Sequence, residues 1–181
     1  MEREFALNLL KENLKNKNLQ KHCLAVEAAM KHFAKYFSED ENLWALAGLL
    51  HDLDYEETKN NFAKHGFITA EKLEKYYLPN EVIYAIKAHP GHLERTHLMD
   101  KVLYSVDSLT GLIIAATLMH PKKKISALDT NFVMRRFKEK RFAAGANREQ
   151  IKACTEFDMT LEEFIGQTLL AMASIEDVLG F

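Results

Sequence analysis

Cysteine is nearly absent: Cys23 and Cys154 are the only two in 181 residues, far apart and without CxxC spacing. That excludes a disulfide framework and a zinc ribbon, and a reducing, cytoplasmic setting fits best. Proline and glycine are scarce as well, with three and seven residues, so a regular segment has few places to break. No Gly/Ser/Pro-rich linker, internal repeat or low-complexity tract divides the sequence, which reads as a single domain over 1–181. Neither charge sign dominates, since 24 Lys and Arg against 26 Asp and Glu leave a formal net charge of -2. Nothing global therefore points to an anionic membrane or to nucleic acid as a partner. The first residues, Met1-Glu2-Arg3-Glu4, lead into an amphipathic segment with no apolar stretch of signal-peptide or membrane-span length, so secretion and membrane insertion are not expected.

What is present is an ordinary globular balance, 48% hydrophobic and 28% charged, with apolar residues recurring at spacings of three and four. The pattern predicts an all-α fold, with helices at roughly 2–15, 18–37, 40–53, 63–77, 79–90, 98–119, 129–139, 147–156 and 160–179. Asp40 suits the N-cap ahead of Leu43, Leu46, Ala47 and Leu50, and Thr160 with Glu163 suits a capping box. Pro79 fits the first turn of one helix, and Pro121 should end another. Beyond Met119-His120-Pro121, the segment of roughly 121–181 reads as a helical C-terminal extension packed on the preceding core.

The chemistry centres on the adjacent pair His51-Asp52, which ends the almost wholly apolar segment Trp44-Ala45-Leu46-Ala47-Gly48-Leu49-Leu50. A helix apolar all round is normally buried. Burying a carboxylate beside an imidazole is costly unless something compensates, and a metal cation is among the strongest compensations. Neighbours on a helix diverge by about 100°, so the pair cannot chelate alone; other helices must complete the shell. His22, at the start of a helix with an apolar face, and Asp107, which interrupts the run Val102-Leu103-Tyr104-Ser105-Val106, are the donors to hand. Two imidazoles and two carboxylates suit manganese, iron, zinc or nickel, and magnesium less well. An ion with open positions acidifies water and neutralises phosphate oxygens, so hydrolysis of a phosphoester or phosphoanhydride is the natural use.

The ordered set His22, His51-Asp52 and Asp107 resembles the H...HD...D signature of the HD superfamily of metal-dependent phosphohydrolases. Leu49-Leu50-His51-Asp52-Leu53-Asp54 is similar to that family's LLHDIG-like core, with Asp54 where many members have glycine. Lys64-His65-Gly66-Phe67-Ile68-Thr69-Ala70 resembles the H-G-x-x-x-A segment, and Ala85-Ile86-Lys87-Ala88-His89 resembles I-x-x-H. The likeness covers roughly 18–115, and the C-terminal third looks like that of a bacterial subgroup of uncharacterised substrate. It implies a single-domain HD-type helical bundle acting on a nucleotide or other small phosphorylated metabolite. It also implies a second ion, bridged by Asp52 and held by His65 and His89. Against this, some binuclear relatives carry a tandem His-His where this sequence reads His89-Pro90-Gly91-His92, leaving His92 as an irregular ligand.

Besides His51 and Asp52, the catalytic candidates are Asp54, as a proton carrier at the pocket mouth, and Lys64, as support for a leaving phosphate. Glu56 shares the first role with Asp54, and a helix-ending loop is the alternative for both. His65 is read either as a ligand or as the residue shaping a helix start. His32 and His120 are read as structural, and His92 and His97 as loop surface. Lys122, Lys123 and Lys124, with Arg135, Arg136, Lys138, Lys140, Arg141 and Arg148, either decorate exposed faces or send one or two groups to substrate phosphates. Two other readings stand beside hydrolysis: an HD-fold diiron oxygenase, which requires a complete second metal site, and a non-catalytic metal- or nucleotide-binding sensor.

Overall fold

The computed structural model describes residues 1–181, which form helices and no strand. The order is α1 (Arg3–Asn13), α2 (Lys17–Phe37), α3 (Glu41–Leu50), α4 (Tyr55–Thr58), α5 (Phe67–Leu73), α6 (Asn80–Ala88), α7 (Leu98–Met119), α8 (Thr130–Lys138), α9 (Arg148–Lys152), α10 (Leu161–Ala173) and α11 (Glu176–Leu179).

The helices form where sequence periodicity and caps agree. In α2, Cys23, Val26, Met30 and Phe33 recur at three and four and are fully buried. Asp40 caps α3 by accepting the Asn42 and Leu43 N–H groups at 2.8 and 3.0 Å. α2 and α3 pack so closely that a Cβ on Gly48 would lie 2.8 Å from the Val26 carbonyl oxygen. That contact sets the depth at which His51 enters the core.

Several expected elements differ in detail. The span expected over 63–77 is broken into a 3-10 turn at Phe62–Lys64, then α5, then a second such turn at Glu74–Tyr76. Gly66 causes the break: it sits at φ 80°, and a Cβ there would lie 2.7 Å from the Ile86 carbonyl oxygen, a place where only glycine fits. The expected 40–53 helix stops at Leu50, the 147–156 helix changes to 3-10 geometry at Ala153, and the 160–179 helix breaks before α11. The Thr160 capping box is half-formed. Its hydroxyl accepts the Glu163 N–H at 3.2 Å, but the Glu163 carboxylate takes the Tyr36 hydroxyl instead. Pro79 stands one residue before α6 as its N-cap, and α7 ends at Met119, immediately before His120-Pro121.

One hydrophobic cluster runs from Ala6 in α1 to Leu179 in α11. The C-terminal segment joins it through Phe164, whose ring lies 5.4 Å from that of Phe33, and through Phe157, 6.1 Å from Phe37. By length and composition α7 could cross a membrane, with a mean hydropathy of 1.7, but 61% of that apolar window is buried inside the fold. It is the central core helix, and it carries Asp107 into the same interior as His51.

Candidate metal centre

Four helices and one loop bring six side chains together. His22 comes from the first turns of α2, and His51 and Asp52 from the turn that closes α3. His65 directly precedes Gly66 and α5, His89 caps the C-terminus of α6, and Asp107 lies midway along α7. His51, Asp52, His65 and His89 are buried, while His22 and Asp107 keep side-chain exposures of 18% and 24% and open onto a cavity.

The Asp52 carboxylate lies at the centre. Its Oδ1 is 3.5 Å from His51 Nε2, 3.1 Å from His65 Nε2 and 3.4 Å from His89 Nε2, while its Oδ2 is 3.7 Å from His22 Nε2. On the His22 side, Asp107 Oδ1 stands 2.9 Å from His22 Nε2 and 3.8 Å from His51 Nε2. One oxygen of Asp52 thus faces His22, and the other faces His51, His65 and His89.

All four imidazoles present the same nitrogen inward because the other is tied down. His51 Nδ1 donates to the Gly48 carbonyl at 2.7 Å, and His89 Nδ1 to the Ile86 carbonyl at 2.6 Å. His65 Nδ1 donates to Asp54 Oδ1 at 2.7 Å. His22 Nδ1 lies 3.4 Å from the Thr110 hydroxyl, which itself donates to the Asp107 carbonyl. Such outer contacts fix ring orientation and leave Nε2 as the nitrogen free to act as a ligand atom.

The donor set fits a divalent cation. His51 Nε2 is fully buried and has no hydrogen-bond partner, a costly state for a polar atom unless an ion takes the place of the missing partner. Donor atoms of His22, His51 and Asp107 lie within 4.8 Å of one another, as do those of His51, Asp52 and His89. The His65 and His89 Nε2 atoms are 3.1 Å apart, and two lone pairs at that distance need a proton or a cation between them.

Without the ion, protons take its role. Burial alone would lower the His51 pKa, but the nearby charges of Asp52 and Asp107 raise it to about 8. Burial likewise opposes protonation of His65, yet hydrogen bonds to Asp52 and Asp54 lift it to about 9. Desolvation would raise both Asp52 and Asp107, but the surrounding imidazoles hold both below the usual carboxylate range. Burial lowers His89, keeping it neutral as a ligand must be.

Other expectations are corrected. Asp54 is no proton carrier at the pocket mouth: it is wholly buried, and its two oxygens accept His65 Nδ1–H, Gly66 N–H and Thr69 N–H at 2.7, 2.8 and 2.9 Å. It orients His65 instead. Glu56 accepts the Lys15 and Asn16 N–H groups ahead of α2 and is likewise occupied. Lys64 is exposed and does not line the cavity. His92 is no ligand, because its Nε2 donates to the Phe62 carbonyl at 2.8 Å and its ring stacks on Phe67. None of the basic C-terminal residues reaches the cavity. Arg136 pairs with Glu139, and Arg148 donates to the carbonyls of Arg136, Phe137, Glu139, Phe142, Ala143 and Ala146.

The cavity over the centre has a volume of about 620 Å³. Its outer walls are the aromatic rings of Tyr55 and Phe62 on one side and Ser108, Asn147 and Gln150 on another. Sequence reasoning did not single out the last three. They are ordinary polar residues on two distant segments, and only folding brings them to one cavity.

Comparison with known proteins agrees with this geometry. The HD domain family matches residues 19–127. Ribonuclease Y of Staphylococcus epidermidis is 30% identical over 135 residues, covering 73% of this chain and 26% of that protein. Ribonuclease Y of Acetivibrio thermocellus is 31% identical over 93 residues, 51% of this chain and 18% of that protein. Ribonuclease Y of Campylobacter jejuni is 33% identical over 93 residues, again 51% and 18%. The chain thus spans about a quarter or less of the length of these relatives. The matched region contains every side chain of the centre, from His22 to Asp107, and the chain belongs to the HD domain family of metal-dependent phosphohydrolases.

Proposed function

We propose that the chain hydrolyses a phosphoester or phosphoanhydride of a small phosphorylated metabolite, a nucleotide being the preferred class, at the His22–His51–Asp52–Asp107 centre. The observation that carries this reading is the unpartnered, buried Nε2 of His51, which lies among donor atoms of His22 and Asp107 in one cluster and of Asp52 and His89 in a second. A bound divalent cation of the Mn, Fe, Zn or Ni type supplies an acidified water and shields phosphoryl charge. The chain's residues do the rest. His22, His51, Asp52 and Asp107 hold one ion, and Asp52 with His65 and His89 offers places for a second. Asp54 fixes the ring of His65. Asp107 is the more exposed of the two carboxylates that line the cavity.

The test is direct. The chain is purified, loaded separately with manganese, iron, zinc and nickel, and assayed for release of phosphate or nucleoside from a panel of phosphorylated metabolites, alongside Asp52→Ala. Turnover and bound metal should both collapse in the variant. If the variant keeps both, the assignment is wrong, and ligand-dependent stabilisation without turnover would make the protein a sensor instead.

RNA is the second reading, favoured by the relatives that bear the name ribonuclease Y. A short RNA belongs in the same assay. The absence of any Lys or Arg from the cavity lining weighs towards the small substrate, since polynucleotide binding depends on cationic contacts along the backbone.

A further inference from the structure

Part of the cavity wall is built largely by residues beyond the matched HD region, and it is electrically neutral. Ala143, Gly145, Ala146, Asn147 and Gln150 line the cavity there, together with Ser108 from α7. The loop is held in shape by Arg148, whose guanidinium donates to six backbone carbonyls between Arg136 and Ala146. A cation so fully engaged is unavailable to a phosphate. It acts as a staple that presents its neighbours to the cavity.

Two of those neighbours have their amide ends fixed by their oxygens. The Ser108 hydroxyl donates to Gln150 Oε1, which leaves the Gln150 amino group as the free end. Asn147 Oδ1 accepts the Glu149 and Gln150 N–H groups at 2.9 and 3.3 Å, which leaves its amino group as the free end. The wall therefore offers neutral donors. Tyr55 and Phe62, 41% and 57% exposed, add flat apolar faces, suited to a ring.

Charge limits what sits at the other end. Asp52 and Asp107 are the only carboxylates lining the cavity, and no Lys or Arg lines it. One divalent ion cancels these two carboxylates and a second leaves a surplus of two positive charges, which matches one phosphoryl group and falls short of a polyphosphate chain.

Resting on the hydrolase reading above, we propose that the cavity takes a phosphomonoester with a single phosphoryl group at the metal centre, such as a nucleoside monophosphate. The uncharged sugar or base of that ester is read through its hydrogen-bond acceptors by Gln150, oriented by Ser108. The C-terminal segment thereby sets specificity, and nucleoside triphosphates are poor ligands.

Binding tests this independently of turnover. Calorimetric titrations on the manganese-loaded chain, with the ion in excess of every ligand, use inorganic phosphate, adenosine and uridine monophosphates, and the matching triphosphates. A monophosphate should bind more tightly than both inorganic phosphate and its triphosphate. Gln150→Ala should weaken the monophosphate by about five- to tenfold, the worth of one neutral hydrogen bond, and leave inorganic phosphate unchanged. Ser108→Ala should produce a smaller loss of the same selective kind. Equal or tighter triphosphate binding overturns the proposal, as does equal weakening of ester and inorganic phosphate in Gln150→Ala. Tight, selective monophosphate binding without hydrolysis would instead remove the catalytic reading and leave the recognition site standing.

Discussion

Asp54 and His65 form a wholly internal pair, with the imidazole Nδ1 donating at 2.7 Å to a carboxylate whose other oxygen takes two backbone N–H groups. This arrangement makes Asp54 the residue through which the α5 segment orients the ring proposed as a metal ligand. Asparagine there keeps the shape but loses the charge, and its amino group would face an N–H donor. Asp54→Asn should lower affinity at the Asp52–His65–His89 half by about 10- to 100-fold, leaving the His22 half bound. Metal stoichiometry by elemental analysis, before and after dialysis, reads this. Loss of both ions together would show that the halves are not separable.

Gly48 ties packing to chemistry, since its backbone touches Val26 and its carbonyl holds His51. Gly48→Ala must push α3 away from α2 at a contact with backbone, which does not yield as a side-chain tip does. A loss of about 1–3 kcal/mol is expected in denaturant unfolding, with weaker metal binding. Unchanged stability would mean that α3 shifts freely, and His51 with it.

Proton linkage sets the pH response of the metal-free chain. The ordinary histidine pKa is 6.5, and the fold raises His51 to about 8 and His65 to about 9. Groups raised on folding stabilise fully below the unfolded pKa, and that stabilisation is lost as pH climbs through the folded values. The chelator-treated chain should therefore lose stability between pH 6.5 and 9. Asp52 and Asp107, both lowered, act oppositely: their stabilisation is present above the ordinary carboxylate range and lost in acid. Metal binding displaces the imidazole protons, so its affinity should rise with pH over the interval in which the metal-free chain weakens, on the order of tenfold per unit for each proton released. Urea melts with and without manganese at three pH values check the opposed slopes, and parallel slopes would contradict them.

Arg148 is the fourth test. Arg148→Ala leaves several carbonyls of the 136–146 segment without their donor, and a cost of about 1–3 kcal/mol is expected. Because this loop carries Asn147 and leads into Gln150, ligand affinity should fall while metal content is retained. A variant that loses metal instead would place the staple's influence on the centre itself.

Much of this protein was legible in its residues. The spacing of apolar positions in α2, α3 and α7 and the Asp40 cap mark helices because each is a local property of the chain. The His22, His51-Asp52 and Asp107 set was legible for a related reason: polar, metal-competent groups embedded in apolar runs are too costly to bury without a purpose. His65 and His89 were named as a second pair from family likeness, and the fold brings both to Asp52.

What the residues could not reveal are the relationships between distant segments. Asp54 reads as a pocket-mouth acid next to the HD pair, yet the turn after α3 rotates it inward to His65 and Thr69. Lys64 is adjacent to a ligand in sequence, but its own side chain is exposed. Arg148 looks like one more surface cation until its carbonyl partners are seen. The sequence by itself marked most of the helices and the residues that the fold gathers around Asp52, because burial and periodicity act locally. Only the tertiary structure decided which nitrogen each imidazole presents, how Asp52 divides its oxygens and what lines the cavity, because hydrogen-bond partners and charge neighbours are set by packing across the fold.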